Sequence, residues 1–374
     1  MTRAGRRTTA LIAAFAAVAL LAGCAGGAQG DEAADVAPEL SELETVADPR
    51  SIVGPSTAVV PDDGIEVAAE DPMQQLPATV TSYTQSGEEE QVTVGAADRV
   101  VAVDLAGSIA ATAWALGFGE TLVGVDQSTT FPGTEEITEV TSGGHTINAE
   151  AVIGLGPDVV ITDGTVGPRD VIEQLRDVGI TVVFVDNDPS FDGAQSLARQ
   201  VAAAYGAPDA GERLAESIAE DAAETTAEIA RLVPEDEDDR VRMVFLYLRG
   251  NAGVYYMFGE ESGADELIES LGGIDVAGEL GWEGMRPMTD EALLAADPDL
   301  ILTMTGGIES TGGIDGLLQE KPAVALTTAG KNERIVDMDD GTILSFGPRS
   351  ADVIEALARA VYAPANAAAG DAAG

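Results

Sequence analysis

The chain has 374 residues, with 65 aspartates and glutamates against 19 lysines and arginines, and its formal net charge is −46. A surface this acidic repels phosphate backbones, so nucleic acid is excluded as a partner. One histidine cannot build the multi-imidazole cage of a typical zinc or manganese site, and one cysteine leaves no disulfide for the folded part. Since no Gly-x-Ser-x-Gly elbow, Walker loop or dinucleotide-binding glycine motif occurs, we predict that the chain is not an enzyme.

The N-terminus has the form of a secretion signal. Three arginines precede an apolar run from Ala10 to Ala22, which is too short for a stable membrane span. The run leads into Leu-Ala-Gly-Cys at 21–24, which resembles a bacterial lipobox. We therefore predict a signal peptide over 1–23, lipidation of Cys24 and anchoring at the extracellular face of the cell membrane. The alternative is a plain signal peptide with an incidental cysteine.

Residues 24–91 are rich in alanine, aspartate, glutamate and proline and show no sustained hydrophobic period. Such a composition favours a disordered tether or a loosely packed arm, and we predict a lipid-anchored acidic linker here. Val92–Val94 is the first candidate strand.

From residue 92 to 208, short apolar runs alternate with helical stretches, which predicts a parallel sheet covered by helices on both faces. The predicted strands are Val100–Val103, Leu122–Val125, Val159–Thr162 and Thr181–Val185. The predicted helices cover 108–116, ending at Gly117, and 148–155, 168–178 and 192–205. This part is predicted to form an N-terminal α/β lobe.

A long predicted helix, Ala210–Leu232, lies within a bridging segment 209–234 and separates this lobe from a second one. Residues 235–362 are predicted to form the C-terminal lobe, with strands Val241–Leu248, Val254–Met257, Leu300–Met304 and Arg334–Asp337 and helices over 262–271, 289–296, 313–319 and 349–362. A loose tail is predicted over 363–374. The predicted fold class is therefore α/β, with two Rossmann-like lobes joined by a single long bridging helix.

An internal repeat supports the two lobes. Glu150–Thr162 aligns without a gap with Glu291–Thr303, at a constant offset of 141 residues. Each copy predicts a capped helix that ends at Pro-Asp and leads into a buried strand. The repeated Glu-Ala and Pro-Asp unit resembles the cluster of ABC-transporter binding proteins for haem, ferric siderophores and cobalamin.

That resemblance covers about 95–362 and implies the class III periplasmic-binding-protein fold. It also implies a role for the repeated glutamates, because such proteins dock on their permease through one acidic residue in each lobe. Glu150 and Glu291 are at the matching positions, each two residues after a candidate cap, Asn148 or Thr289. The alternative is that each glutamate only stabilises the first turn of its helix through the helix dipole.

Candidate ligand-binding residues lie where the strands end, because ligands of open α/β sheets bind beyond the carboxyl ends of the strands. His145 follows a Gly-Gly turn, so its imidazole can project into a cleft between the lobes and bind iron. Tyr247 and Arg249 share one face of a strand end, where a cation stabilises phenolate, a hard donor for ferric iron. The alternatives are a loop histidine bonded to backbone and a buried Tyr–Arg pair at a strand end.

A loop histidine in one lobe and Tyr-x-Arg in the other resemble the haem-binding lipoproteins of corynebacterial-type uptake systems. The resemblance implies haem b as the transported ligand, with His145 and Tyr247 as opposed axial ligands and Arg249 polarising Tyr247. The implied partners are haem, an ABC transporter permease with its ATPase, and upstream haem-donor surface proteins. Further candidates would cover the porphyrin or pair with its propionates, namely Asn251, Tyr255, Tyr256, Trp282, Met285, Arg286 and Arg349. The aromatic and sulfur side chains among them are equally consistent with a core.

Two other hypotheses remain open. The same fold could carry a ferric siderophore or cobalamin, in which case His145 is incidental. An enzyme or a carbohydrate-surface protein could use the same scaffold, although the lack of a second histidine and of nucleophile motifs argues against this.

Overall fold

The computed structural model describes residues 38–43, 45–60, 64–68, 72–84, 87–142 and 145–364. Two β-sheets, each covered by helices, form most of this part of the chain. The predicted signal peptide, Cys24 and the residues from 365 onward lie outside it. Among the helices described, none is both long enough and apolar enough to cross a bilayer.

The first sheet has five parallel strands, in the order β10 (Thr181–Phe184), β9 (Val159–Thr162), β4 (Val100–Val103), β5 (Leu122–Val125) and β6 (Thr138–Glu139). Three short strands precede it, β1 (Ser56–Thr57) and the hairpin β2 (Ala78–Tyr83) and β3 (Glu89–Val94), the last containing the predicted strand Val92–Val94. The elements of the sheet follow in chain order: β4 (Val100–Val103), α1 (Ser108–Ala113), β5 (Leu122–Val125), β6 (Thr138–Glu139), β7 (Thr141–Ser142), β8 (Thr146–Ile147), α2 (Ala149–Leu155), β9 (Val159–Thr162), α3 (Arg169–Asp177) and β10 (Thr181–Phe184).

Both faces of this sheet are covered, as its unbroken apolar strands predict. β4 and β9 are buried at every position, with apolar cores on either side of them. The helix predicted over 108–116 corresponds to α1 and a π-helical turn that follows it, Trp114–Phe118. Gly117 interrupts that turn with a φ of 88°, where the sequence predicted the end of the helix.

Two helices follow, α4 (Phe191–Ala204) and α5 (Pro208–Ile229). Pro208 occupies the first turn of α5, where its missing N–H leaves no hydrogen bond unmade. Leu214 and Ile218 of α5 are buried in the core of the first sheet, whereas Ile229 is buried in a core of the second. The helix therefore bridges the two halves, and the α/β fold class with a long bridging helix is confirmed.

The second sheet has seven strands, in the order β1, β16 (Ile335–Met338), β15 (Leu300–Met304), β11 (Arg242–Arg249), β12 (Val254–Phe258) and β14 (Met285–Pro287), with β13 (Ile274–Asp275) also paired to β11. Its antiparallel pairs are β11–β12 and β12–β14, and the others are parallel. The elements in chain order are β11 (Arg242–Arg249), β12 (Val254–Phe258), α6 (Ala264–Ser270), β13 (Ile274–Asp275), α7 (Val276–Glu279), β14 (Met285–Pro287), α8 (Asp290–Ala296), β15 (Leu300–Met304), α9 (Thr305–Ser310), α10 (Gly313–Glu320), α11 (Pro322–Leu326), α12 (Thr328–Lys331), β16 (Ile335–Met338) and α13 (Ser350–Tyr362). We call 92–208 the N lobe and 235–362 the C lobe, and these boundaries stay a prediction.

The described part of the predicted acidic arm is not a loose tether. Leu40 is 1% exposed in a C-lobe core, and β1 adds a parallel strand to the C-lobe sheet beside β16. Further along, Ile65 and Val80 are buried in the N-lobe core. The chain thus crosses from the C lobe to the N lobe before residue 65, in addition to the later crossing in α5. Its few apolar residues show no period because each one meets a different tertiary partner.

The internal repeat has the same local structure in both lobes. α2 and α8 each have seven residues. Asn148 and Thr289 cap them identically, each side-chain oxygen accepting from the backbone N–H three residues on at 3.1 Å. Each helix ends at a left-handed residue, Gly156 or Asp297, before its Pro-Asp and a buried strand.

Candidate functional site

The carboxyl edge of the N-lobe sheet carries three aspartates, each directly after a strand. Asp104, after β4, is fully buried and accepts from the N–H groups of Ser108 and Ile109, which fixes the start of α1. Asp126, after β5, accepts from the N–H of Asp104 at 3.1 Å. Burial raises the pKa of Asp126 to about 6, and burial together with Asp126 and Asp163 raises that of Asp104 well above its usual value. Sequence reasoning missed this set, although an aspartate directly after each buried strand could have revealed it.

His145 directly precedes β8 and has a φ of 64°. The amide of Gln127 donates to its Nε2, with the two nitrogens 3.1 Å apart. Its Nδ1 is buried and finds no hydrogen-bond partner among the described residues. Burial, and second the positive charge of Arg249, lower the pKa of His145 below 6.5. The side chain is therefore held as a neutral imidazole, the form that binds iron.

Tyr247 and Arg249 lie on one face of β11, as the alternation of the strand predicts. The Tyr247 ring is half-buried and stacks beside Phe258 at 6.1 Å between ring centres. The Arg249 guanidinium lies over the Tyr247 ring, with Cζ 4.4 Å from its centre. It also donates to Asp340 Oδ2 at 2.8 Å, so the cation is ion-paired as well as stacked.

The two predicted iron-binding elements belong to opposite lobes. His145 belongs to the N lobe, and the charge that acts on its pKa comes from Arg249 of the C lobe. The lobes also meet beside this site, since Ser108 Oγ and Ser345 Oγ are 3.4 Å apart. Any side chain at Gly341 would collide with the carbonyl of Ser128. The backbones of the two lobes are therefore in close contact at the base of the cleft.

Strand alternation divides the other candidates into two groups. Tyr256 pairs directly with Tyr247, and Met285 pairs with Phe258, so both lie on the Tyr247 face of the sheet. Met285 is 59% exposed. These two residues are the covering candidates that share a face with the proposed iron ligand.

Tyr255, predicted to cover the porphyrin or to belong to a core, lies on the other face and in a core. It is buried in a different core, donates from its hydroxyl to Glu320 at 2.7 Å and lies under Lys321. Trp282 packs against the same core, with its indole N–H donating to the carbonyl of Met257. Tyr255 and Tyr256 lie on opposite faces of the sheet because side chains alternate along β12.

The polar candidates are spread more widely. Asn251 is exposed in the turn after β11. Arg286 pairs with Met257 in the sheet register, on the face away from Tyr247, and forms an exposed ion pair with Glu283 at 3.2 Å. Arg349 precedes α13 and borders the gap between the Gly107 and Gly341 loops. Its Nε is buried, without a hydrogen-bond partner among the described residues.

Residues 100–342 match the family described as periplasmic binding protein. The solved structure titled heme binding protein HmuT is 37% identical, with a TM-score of 0.78, and the match covers 84% of this chain and 99% of that one. Variants of that protein with one arginine, tyrosine or histidine changed to alanine match with TM-scores of 0.80, 0.79 and 0.78. In those variants the changed tyrosine and arginine are two residues apart.

Two further relatives are similar in sequence. An uncharacterised ABC transporter substrate-binding lipoprotein of Bacillus subtilis (strain 168) is 29% identical over 253 residues, which are 67% of this chain and 76% of that protein. A cobalamin-binding protein of Halobacterium salinarum (strain ATCC 29341 / DSM 671 / R1) is 28% identical over 324 residues, or 83% of this chain and 80% of that protein.

Proposed function

The chain belongs to the periplasmic binding protein family, and on this premise we propose that it binds haem between its lobes and delivers it to an ABC transporter. The observation that carries the proposal is the placement of His145 and the Tyr247–Arg249 pair on opposite lobes, close enough for Arg249 to act on the imidazole. Such a substrate-binding role involves no catalytic step.

His145 and Tyr247 are the proposed axial ligands of the haem iron. A neutral imidazole and a phenolic oxygen are both established haem ligands, and two of them suffice because the porphyrin supplies the other four donors. The low pKa of His145 favours binding, since a protonated ring cannot coordinate iron. The same three residue types are changed in the variants of the heme binding protein, where the tyrosine and arginine have the spacing of Tyr247 and Arg249.

The remaining candidates have unequal support. Tyr256 and Met285 share the Tyr247 face and are proposed to cover the porphyrin. Arg349 is proposed to pair with a propionate, because its Nε has no partner among the described residues and it lies where the lobes meet. Among the residues that the structure describes, Asn251 makes no contact that assigns it a role, and Arg286 is directed to the other face of the sheet.

Delivery involves the two glutamates of the repeat. Glu150 and Glu291 are both exposed at equivalent places in α2 and α8, and we propose that each one contacts a basic residue of the permease. The associated ATPase and upstream haem donors are proposed partners. Anchoring through Cys24 at the extracellular face of the membrane is proposed from the sequence, since that residue lies outside the described range.

Titration with hemin tests the cargo. The wild-type protein should develop a Soret band, and His145→Ala and Tyr247→Ala should each shift or weaken it. Tyr255→Phe is the control, because that tyrosine lies on the opposite face of the sheet and should leave the spectrum unchanged. If neither alanine variant alters the band, the axial assignment is wrong.

A second candidate cargo is cobalamin, favoured by the similarity to the cobalamin-binding protein of Halobacterium salinarum. Competition distinguishes the two ligands. Excess cyanocobalamin should not displace hemin if haem is the cargo. Binding of cyanocobalamin that is unaffected by His145→Ala would instead identify the corrinoid.

A further inference from the structure

The two repeat helices expose the same pair of side chains to solvent. In α2, Glu150 and Ile153 are both exposed, and in α8, Glu291 and Leu294 are both exposed. The apolar members obey the same offset of 141 residues as the glutamates. Ile153 is 41% exposed and Leu294 is 42% exposed. These two repeat-related positions thus have nearly equal exposure in the two lobes.

Each pair forms one continuous patch. Residues three apart in a helix are neighbours on its surface, so Ile153 lies beside Glu150 and Leu294 beside Glu291. The residues just before them, Val152 and Leu293, are fully buried. Each helix therefore has an apolar residue that anchors it to its lobe and a second, adjacent one that the lobe leaves uncovered.

The patches lie on the two sides of the cleft. α2 leads into the start of β9, and α8 leads into the start of β15. The first turn of each helix, which carries the glutamate, is therefore at the carboxyl edge of its sheet. The cleft opens at this edge, so a partner that contacts both patches lies across its mouth.

A single exposed apolar residue on a protein surface needs no explanation. These two differ because they recur at repeat-related positions, each beside an exposed carboxylate. Exposed ion pairs contribute little affinity by themselves, since both charges are already hydrated. A contact through the glutamates alone would be weak, and burying an adjacent apolar side chain supplies the missing driving force.

We infer that Ile153 and Leu294 are apolar anchors of the permease contact, each seated in a hollow beside the cation that binds the neighbouring glutamate. The partner is a pair of membrane subunits related by twofold symmetry, because two equivalent patches fit two equivalent sites. The inference rests on the proposed delivery of cargo to an ABC transporter, and it does not depend on which ligand occupies the cleft.

The test measures affinity for the source organism's permease–ATPase complex in lipid nanodiscs, with hemin titrated separately against each variant. Ile153→Ser and Leu294→Ser should each weaken the complex about fivefold, and the double variant about 25-fold. Val178→Ser and Val53→Ser are matched controls, since these valines are 59% and 72% exposed but precede β10 and β1 at the opposite, amino edges of the sheets. They should stay within a factor of about two of wild type. Hemin binding should be unchanged in all variants.

Each outcome has one interpretation. Wild-type affinity in both serine variants would overturn the inference, as would an effect confined to one lobe, which contradicts a twofold partner. Failure of the wild type to bind the nanodisc complex would overturn it together with the delivery role. A protein that binds the permease but not hemin would refute the cargo assignment alone, and loss of affinity in the two variants would then still support the anchors.

Discussion

The guanidinium of Arg249 lies over the phenol ring of Tyr247, with Cζ 4.4 Å from the ring centre. It is fixed there by Asp340, whose Oδ2 accepts at 2.8 Å, and by the carbonyl of Leu248. The same charge lowers the pKa of His145 in the other lobe. Arg249 therefore acts on both proposed iron ligands, through cation–π contact with one and through space on the other.

Arg249→Met should raise the pKa of His145, because it removes a positive charge that disfavours the protonated ring. Burial would remain, so the pKa should rise only part of the way towards 6.5. The chain has one histidine, so its imidazole signals in NMR report this pKa directly. Arg199→Met is the control, since Arg199 forms an exposed pair with Glu212. An unchanged pKa in Arg249→Met would contradict the electrostatic link.

The same substitution should shift the pH dependence of hemin binding to higher pH. Hemin must compete with the proton for the imidazole, so binding through His145 is lost as pH falls through the pKa of that residue. In Arg249→Met this loss should begin at a higher pH than in the wild type. The measurement is the Soret absorbance of the hemin complex in buffers from pH 4 to 8.

Gln127→Leu should strengthen hemin binding about fivefold, because the Gln127 amide donates to Nε2 of His145 and this hydrogen bond must break before that nitrogen can coordinate iron. Gln91→Leu serves as the control, since Gln91 is exposed on the β2–β3 hairpin and bonds only Thr81 within the described structure. The measurement is an equilibrium titration of each variant with hemin. Equal affinity for hemin in the two variants would mean that the Gln127 hydrogen bond does not compete with iron for His145.

Asp126→Asn should become more stable relative to the wild type as pH rises from 4 to 7. The pKa of Asp126 is raised to about 6 by burial, so the folded state keeps a proton that the unfolded state has already released. Wild-type stability therefore falls over this window by about 2 kcal/mol from this group, whereas asparagine does not titrate. Denaturant unfolding at four pH values measures the trend, with the exposed Asp177→Asn correcting for the loss of one charge.

Arg334→Met should reduce the free energy of unfolding by about 3 kcal/mol, because it removes several hydrogen bonds that a buried, charged donor makes. Arg334 is 2% exposed and joins the arm to the last helix, donating to Ser56 Oγ and to the carbonyls of Ala360 and Val361. Arg199→Met, in an exposed ion pair, should change stability by less than about 1 kcal/mol. Equal destabilisation of both variants would show that the arm is not held by this residue.

Local pattern alone determined much of this protein. Alternating apolar runs predicted the parallel strands, and the offset of 141 residues predicted two equivalent helix–strand units. These features need only neighbouring residues, because periodicity and capping act within a few positions along the chain. Tyr247 and Arg249 could be placed on one face for the same reason.

The tertiary structure decided which side chains meet. Asp340 reaches Arg249 over a separation of 91 residues, and Gln127 reaches His145 over 18. The acidic arm has too few apolar residues to show a period. It still packs on both lobes, because each buried apolar residue of the arm contacts the core of one lobe. Tyr255 and Tyr256 are adjacent in sequence, and only the sheet they join assigns them to opposite faces. Such contacts depend on how distant segments pack, and no local pattern records that packing.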